Sequence, residues 1–199
     1  MTMFKKVIAV TALTLVAGTA LANEWKEEKN ADGVQVFLKQ EADSKYKAYR
    51  GVTVINASLD KVLAVQADAA NSCQWIHECS SLKVLKKEGS SVWTYTQFST
   101  PWPVTPRDSV LKVTESKQGD EVVRKIEGLP SYQPETKGYV RVAKVDGYWK
   151  FKPLSANQTQ VTYEVHTDPG GSVPAWLANK FVVEAPFNTL VGMRNAAQK

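Results

Sequence analysis

Cys73, His77 and Cys79 are the first residues whose types and spacing could do chemistry, and the chain has no other cysteine. In an oxidising compartment an even pair of cysteines closes into a disulfide. The alternative is a metal site, because Cys-x3-His-x-Cys offers three zinc ligands, but no fourth ligand at a matching spacing is evident. The pattern therefore favours the disulfide. Residues six apart in an α-helix lie roughly 9 Å apart, too far for that bond, so we expect the helix to break between the cysteines.

Arg107 is the second candidate, because strand alternation places it with Ser109, Leu111 and Val113, while Asp108 points to the opposite side. A guanidinium on an apolar face is costly unless it is paired or hydrogen-bonded. Arg107 is therefore either a structural ion-pair partner of a buried carboxylate or a polar anchor for a hydroxyl, carbonyl or phosphate group of a bound molecule. The two roles are compatible.

Motifs typical of catalysis are not evident. His77 and His166 have no serine or cysteine nucleophile in a recognisable elbow, and neither a Gly-rich phosphate loop nor HExxH occurs. Six tryptophans could form a cage for a quaternary ammonium group, although tryptophans on a sheet are more often ordinary core. We expect no catalytic residues, no cofactor and no metal, so the chain is not predicted to be an enzyme.

The first 22 residues predict an export signal. Lys5 and Lys6 precede an apolar run over residues 7–17, and the small-residue triplet Ala20-Leu21-Ala22 follows. The alternative is a membrane anchor, but the run is shorter than the roughly 20 residues that cross a bilayer. We expect cleavage after Ala22, one domain over residues 23–199, and a periplasmic or secreted location.

The charge of the chain limits its partners. A formal net charge of +5 in 199 residues, scattered along the chain, is too weak to indicate nucleic acid binding. It would still favour transient contact with an anionic membrane surface. We expect a monomer.

The elements that must position these residues are mostly strands. An Asp32-Gly33 turn separates a short amphipathic segment from a strand at residues 34–38, and Ser58 is a plausible cap for a short helix over residues 59–67. Further strands are predicted at residues 46–55, 82–87, 92–98, 107–115, 121–128, 138–144, 148–154 and 160–167. A long helix then runs from Pro174 to Ala197, with Pro186 inside it, where a proline should cause a bend.

This order predicts an α+β fold with one antiparallel sheet. A single bent helix laid across the concave face would bury that face incompletely, which leaves a cavity. Alternation places Trp149 and Phe151 on one face, turns Tyr163 inward, and puts Trp93 with Tyr95.

Four segments resemble the START (steroidogenic acute regulatory protein-related lipid transfer) domain family. Residues 100–111, TPWPVTPRDSVL, resemble its "PWP...RD" segment, and Trp25 with DGVQVF at 32–37 resembles its opening strand. CQWIHEC at 73–79 is similar to the tryptophan segment of bacterial members. Residues 147–149, 161–163 and DPGGSVPAW at 168–176 resemble the closing strands and the start of the last helix.

The resemblance implies a helix-grip fold, in which a curved antiparallel sheet wraps around a long C-terminal helix and encloses a lipid-sized apolar cavity. It implies binding of one lipid, such as a sterol, phospholipid or fatty acid. Together with the predicted export signal, this predicts carriage between membranes across the periplasm. The alternative is an enzyme of the helix-grip superfamily, cyclase-like or hydrolase-like, that acts on an apolar small molecule. Arg107 and Asp108 occupy the family's "RD" position.

Two sets of site residues follow from alternation and resemblance together. The final helix and the loop before it are expected to act as a lid, although an ordinary amphipathic helix that closes the core is the alternative. Trp176 and Phe181 would touch the membrane when the lid moves. The predicted cavity residues are Arg107, Trp93, Tyr95, Ser109, Leu111, Trp149, Phe151 and Tyr163, and the predicted lid residues are Trp176, Leu177, Phe181 and Pro186.

Overall fold

A computed structural model of the chain describes residues 24–100 and 102–199, so the predicted export signal at residues 1–22 lies outside the described residues. The elements follow one another as β1 (Lys26–Ala31), β2 (Val34–Gln40), β3 (Lys47–Ile55), α1 (Leu59–Ala67), a 3-10 turn (Ser72–Gln74), β4 (Cys79–Glu88), β5 (Ser91–Phe98), β6 (Arg107–Gln118), β7 (Glu121–Gly128), β8 (Val140–Arg141), β9 (Lys144–Ser155), β10 (Gln158–Asp168) and α2 (Ala175–Ala197).

The strands form one ten-stranded sheet in the order β1-β2-β3-β10-β9-β7-β6-β5-β4, and β8 pairs in parallel with the start of β6. All other neighbours are antiparallel. The chain thus runs back and forth from β4 to β10, where it meets β3. The predicted fold, a curved antiparallel sheet with a C-terminal helix, is confirmed.

Three local predictions need correction. The segment before Asp32 is strand β1 of the sheet and not a separate amphipathic segment. A tight turn joins it to β2, and both central residues of that turn have positive φ, 48° at Asp32 and 68° at Gly33. The strand predicted at 138–144 is reduced to β8, because the side chain of Arg141 ties this segment to the preceding loop carbonyls. Pro174 is the N-cap of α2 and not part of its first turn.

Helix α2 lies across β2 and β3. Leu190 and Met193 are fully buried there, and the close approach depends on Gly51, where a Cβ would lie 2.5 Å from Leu190 Cδ1. The helix runs without interruption across Pro186, whose side chain packs beside the same glycine. None of the helices in the described ranges is long and apolar enough to cross a membrane.

The segment between the two cysteines closes the side of the core next to α2. Cys73 and Cys79 form a disulfide with their Cα atoms 4.8 Å apart, and the chain leaves helical geometry between them, with φ of 57° at Glu78. The predicted disulfide and the predicted helix break are both confirmed. The His77 backbone N–H donates to Thr189 Oγ1 of α2 at 3.1 Å, so this segment and the helix are joined directly.

We predict that Gly192→Ala destabilises the fold. Helix propensity alone would give a gain of about 1 kcal/mol, but a Cβ at Gly192 would lie 2.5 Å from the Trp75 carbonyl oxygen. Relieving that overlap should lower the free energy of unfolding by about 1–3 kcal/mol in urea titrations. Asn195→Ala, at an exposed position of the same helix, is the control and should change stability by only a few tenths of a kcal/mol. A more stable Gly192→Ala variant would show that the contact is not constraining.

Candidate functional site

A cavity of about 490 Å³ lies between the inner face of the sheet and the elements that cross it. This is within the roughly 300–1,000 Å³ of small-molecule sites. Helix α2 packs over β2 and β3, and α1 contacts β9 and β10, so the space remains open between these helices and the inner faces of β5 and β6. Among the residues that line it are Trp75, Ile76, Val92, Thr94, Thr96, Phe98, Ser109, Leu111, Val113, Ile126, Val145, Trp149, Tyr163, Val165, Ala185 and Thr189.

A row of packed aromatic rings forms one part of the cavity wall. Trp149 lies parallel to Tyr163, with ring centroids 3.8 Å apart, and Trp75 meets Trp149 edge-on at 6.3 Å. Tyr49 extends the row, 5.4 Å from Tyr163. Burial raises the pKa of both tyrosine hydroxyls, so both stay protonated at neutral pH. The row offers a ligand flat apolar surface with hydroxyl groups at one end.

Four of the predicted cavity residues do meet at this wall: Ser109, Leu111, Trp149 and Tyr163. Phe151 does not reach it. It is fully buried and lies beyond Trp149, in a parallel ring pair with a centroid distance of 6.2 Å. Phe151 thus supports the wall from within the core.

Trp93 and Tyr95 were predicted on the wrong face of β5. In the observed register Thr94 pairs with Leu111, and Thr96 pairs with Ser109, so the threonines share the inner face. Trp93 lies on the outer face, with the ammonium groups of Lys86 and Lys112 at 5.0 and 5.4 Å from its ring. The aromatic residues suggested an inward face, but they cover the outside of the sheet.

Asp108 also differs from its predicted environment. It lies on the outer side of β6, as alternation requires, yet it is completely buried beneath the loop that follows β7. Arg141 Nε donates to Asp108 Oδ1 at 2.8 Å, and the Tyr95 hydroxyl donates to Oδ2 at 2.9 Å. Burial alone would raise the pKa of Asp108, but the hydrogen bonds from Arg141 and Tyr95 outweigh it and lower the pKa.

Arg141 also fixes the loop. Its guanidinium donates to the carbonyl oxygens of Pro130, Gln133 and Pro134 at 2.7, 3.1 and 3.2 Å. The ion pair considered for Arg107 is not seen among the described residues; the buried ion pair of this region joins Asp108 to Arg141. Asp108 and Arg141 act as a structural unit on the outside of the sheet.

Arg107 is buried without an acidic partner among the described residues. It donates to the carbonyl oxygens of Thr105 and Gly170, the latter at 3.5 Å, while its Nε has no hydrogen-bond partner. Burial lowers the pKa of this guanidinium. The side chain lies under the loop that leads into α2 and is not among those that line the cavity.

The predicted lid residues divide into two environments. Trp176 is 72% exposed and Leu177 and Phe181 are half-buried, whereas Pro186 is buried against the sheet. Helix α2 is held firmly at its C-terminal half, through Leu190 and Met193, and less firmly at its start.

Sequence reasoning missed a charged group at one end of the cavity. Arg124 Nε donates to Glu115 Oε2 at 2.8 Å, and Arg124 Nη1 donates to Gln66 Oε1 of α1. All three residues line the cavity. Glu115 continues the inward series Ser109, Leu111 and Val113, so the alternation of β6 was a signal that could have found it.

Comparisons with known proteins agree on one family. The START domain family model matches residues 9–199. An uncharacterised protein of Pseudomonas aeruginosa is 51% identical over 193 residues, 96% of each chain, and the phosphatidylcholine transfer protein of Bos taurus is 25% identical over 182 residues, 87% of this chain and 84% of that protein. The crystal structure of a STAR-related lipid transfer protein fragment from Xanthomonas axonopodis matches with a TM-score of 0.82 at 36% identity, covering 88% of this chain and 99% of that one.

We predict that the two buried arginines contribute very differently to stability. Arg141→Met leaves Asp108 buried without its counter-ion, which should lower the free energy of unfolding by about 3–5 kcal/mol. Arg107→Met removes a cation that has no acidic partner and leaves only carbonyl oxygens unpaired, so it should cost less than about 2 kcal/mol. Urea titrations of both variants measure the difference. Equal losses would mean that Arg107 has a structural role comparable to that of Arg141.

Proposed function

The chain belongs to the START domain family, whose members bind lipids, and from this premise we propose that it binds a single lipid or other apolar small molecule in its cavity and carries it between membranes across the periplasm. The observation that carries the proposal is the aromatic-walled cavity of about 490 Å³ beneath the sheet. A cavity lined by Leu111, Val113, Trp149 and Tyr163 suits a ligand that is mostly hydrocarbon.

The physical advantage of such a carrier is large. A chain of about sixteen carbons exposes methylene groups worth roughly 0.8 kcal/mol each, so a barrier on the order of 12 kcal/mol opposes its passage through water. An apolar cavity replaces water around those groups and removes most of that barrier. Lipid carriage alone would therefore account for this cavity, and no chemical step is needed.

An export signal over residues 1–22 fits this proposal. Its support is the sequence pattern at Lys5, Lys6 and Ala20-Leu21-Ala22, together with the disulfide between Cys73 and Cys79. Disulfides persist in oxidising compartments such as the periplasm. In a Gram-negative cell this compartment separates the two membranes between which a lipid would be carried.

Binding without catalysis is the simpler proposal for this wall. Tyr49 and Tyr163 belong to the row of rings at Trp149, and burial raises their pKa values, so they do not accept a proton at neutral pH. Glu115, which also lines the cavity, is paired with Arg124. A cyclase-like or hydrolase-like enzyme would instead change the ligand chemically.

The central experiment is native mass spectrometry of the exported protein. We expect one lipid per chain, recovered with unchanged mass after prolonged incubation, and transfer of that lipid between donor and acceptor vesicles. Protein that carries no lipid and moves none between vesicles would overturn the proposal. Conversion of the bound molecule to a product would favour the enzyme.

We also propose that the first half of α2 is the lid. Near its start, the Lys47 backbone N–H donates to Asn179 Oδ1 at 3.0 Å, and the Tyr46 hydroxyl donates to the Val173 carbonyl at 3.4 Å. Further along this half, Lys29 pairs with Glu184 at 3.1 Å, and Val182 and Val183 pack against the main core.

Val104 and Ala175 both pack against a small apolar cluster of Tyr46, Val173 and Ala178, apart from the main core. This cluster can open while Leu190 and Met193 remain buried.

A disulfide between Val104→Cys and Ala175→Cys should hold the lid shut. We expect transfer of lipid between vesicles to slow at least about tenfold, because the loop and helix can no longer separate. The single variant Val104→Cys is the control for the substitution itself. Exchange at the control rate, with the bond confirmed by mass, would show that the helix does not need to move.

A second exposed tryptophan, Trp102, lies near the membrane contact that we propose for Trp176. Trp102 is 93% exposed in the loop between β5 and β6, and Val104 of that loop packs beside the start of α2. Both tryptophans therefore project from adjoining segments at the lid. Indole rings suit the bilayer interface, where their apolar body and N–H are both accommodated.

Replacing Trp102 and Trp176 together by alanine should weaken partitioning onto anionic vesicles about tenfold, measured by sedimentation. Stability should change little, because both side chains are exposed. Trp93→Ala, on the outer face of β5, is the matched control and should partition like the unaltered protein. Unchanged partitioning of the double variant would place the membrane contact elsewhere.

A further inference from the structure

The cavity is open to solvent at one end. Its exposed lining residues all belong to the end of α1, to β4 or to the turn between β4 and β5: Ala67, Val84, Lys87, Gly89 and Ser90. Where lining residues are exposed, the cavity reaches the surface of the protein. We call this opening, between the end of α1 and the β4–β5 turn, the mouth.

The mouth lies at the far end of the cavity from the lid. Arg107, at the start of β6, lies under the loop that leads into α2. Glu115, further along the same strand, lies beside the mouth, because its backbone N–H donates to the Ser90 carbonyl at 2.9 Å. A rise of about 3.3 Å per residue puts Arg107 and Glu115 roughly 26 Å apart along β6. The cavity therefore reaches the surface while the lid is in place.

The three charged residues that line the cavity all lie at the mouth: Lys87, Glu115 and Arg124. Glu115 Oε2 lies 2.8 Å from Arg124 Nη2, so these two charges neutralise one another. Lys87 is exposed and forms no salt bridge within the part of the chain that the structure describes. The lining therefore carries one unpaired positive charge, and it is in contact with solvent.

The acidic residues next to the mouth have partners of their own. Glu88 pairs with Lys86 at 2.8 Å, and Asp68, at the end of α1, accepts from Asn71 Nδ2 at 2.7 Å. Neither carboxylate is paired with Lys87. An anionic group attached to an apolar molecule matches this arrangement, because the charge can meet Lys87 in water while the apolar part enters the cavity.

We propose that the mouth binds the anionic head group, a carboxylate or a phosphate, of a lipid whose hydrocarbon chain fills the cavity. This inference rests on the proposed function, because it assumes that the cavity holds a lipid, and it does not depend on the lid. The head group keeps its hydration beside Lys87, so no charge is buried. The chain extends inward from the mouth along Val113 and Leu111 towards Trp149.

Three probes of equal chain length test the charge preference: palmitate, hexadecyl phosphate and 1-hexadecanol, titrated against the full mature chain. The two anions should bind about fivefold more tightly than the alcohol, as expected for an exposed ion pair. Equal binding of the two anions assigns the mouth to negative charge alone, and tighter binding of hexadecyl phosphate assigns it to a phosphate head group. If the alcohol binds as tightly as both anions, the proposal is wrong.

A substitution at the mouth tests the contribution of Lys87. Lys87→Gln should weaken palmitate about fivefold and leave 1-hexadecanol unaffected, since only the anion loses an opposite charge. Lys83→Gln is the matched control, because Lys83 is exposed on the same strand but does not line the cavity. Both positions are exposed, so both variants should fold. Unchanged palmitate affinity of Lys87→Gln would place the head group elsewhere.

The position of the head group can be measured directly. Palmitate with a ¹³C-labelled carboxyl group is bound to protein that carries a nitroxide label at Ser90→Cys or at Trp176→Cys, both exposed positions. The label at position 90 should broaden the carboxyl resonance, and the label at position 176 should not. Broadening from position 176, or none from position 90, would overturn the mouth as the head-group site while leaving lipid binding intact. Failure of all three probes to bind would overturn both this inference and the proposed function.

Discussion

One helix cannot cover the concave face of a ten-stranded sheet, and the rest of the structure depends on this mismatch. Helix α2 packs on β2 and β3 through Leu190 and Met193. Strands β5 and β6 on the far side keep their inner apolar side chains, and the cavity lies above them. Closing the sheet on itself would fill the space, but the row of rings around Trp149 holds the wall apart. The cavity is thus a consequence of topology and of rigid side chains together.

The disulfide-bonded segment forms another side of the cavity wall, through Trp75 and Ile76. It places Trp75 against Trp149, while the backbone of Trp75 touches α2 at Gly192. A longer or freer loop could make the same contacts only at a greater entropic cost. The cysteines therefore position a wall residue as well as stabilising the fold. Because the same segment contacts the C-terminal half of α2, that half is held on the core, and the lid that we propose is the first half.

The sequence predicted the order of strands and helices well, because period-2 alternation and turn residues are local signals. It also predicted the inner face of β6 from Ser109 and Leu111. It failed on β5, since both faces of that strand are covered: threonines face the cavity, and Tyr95 is buried under the loop on the other side. Alternation identifies two faces but cannot say which is inward when both carry apolar residues, as with Val92 and Phe98 on one face of β5 and Trp93 and Tyr95 on the other. No local sequence pattern indicated that Arg141 pairs with Asp108, because the two residues are 33 positions apart.

The polar groups inside this protein fall into two sets with different consequences. Asp108 and Arg141 satisfy one another and the surrounding carbonyls on the outer side of the sheet, where the fold alone determines their partners. The Trp75 N–H lies in the cavity wall and is unsatisfied. A buried donor without a partner lowers the stability of the folded protein by about 1–3 kcal/mol, whereas the hydrogen bonds between Asp108 and Arg141 stabilise it.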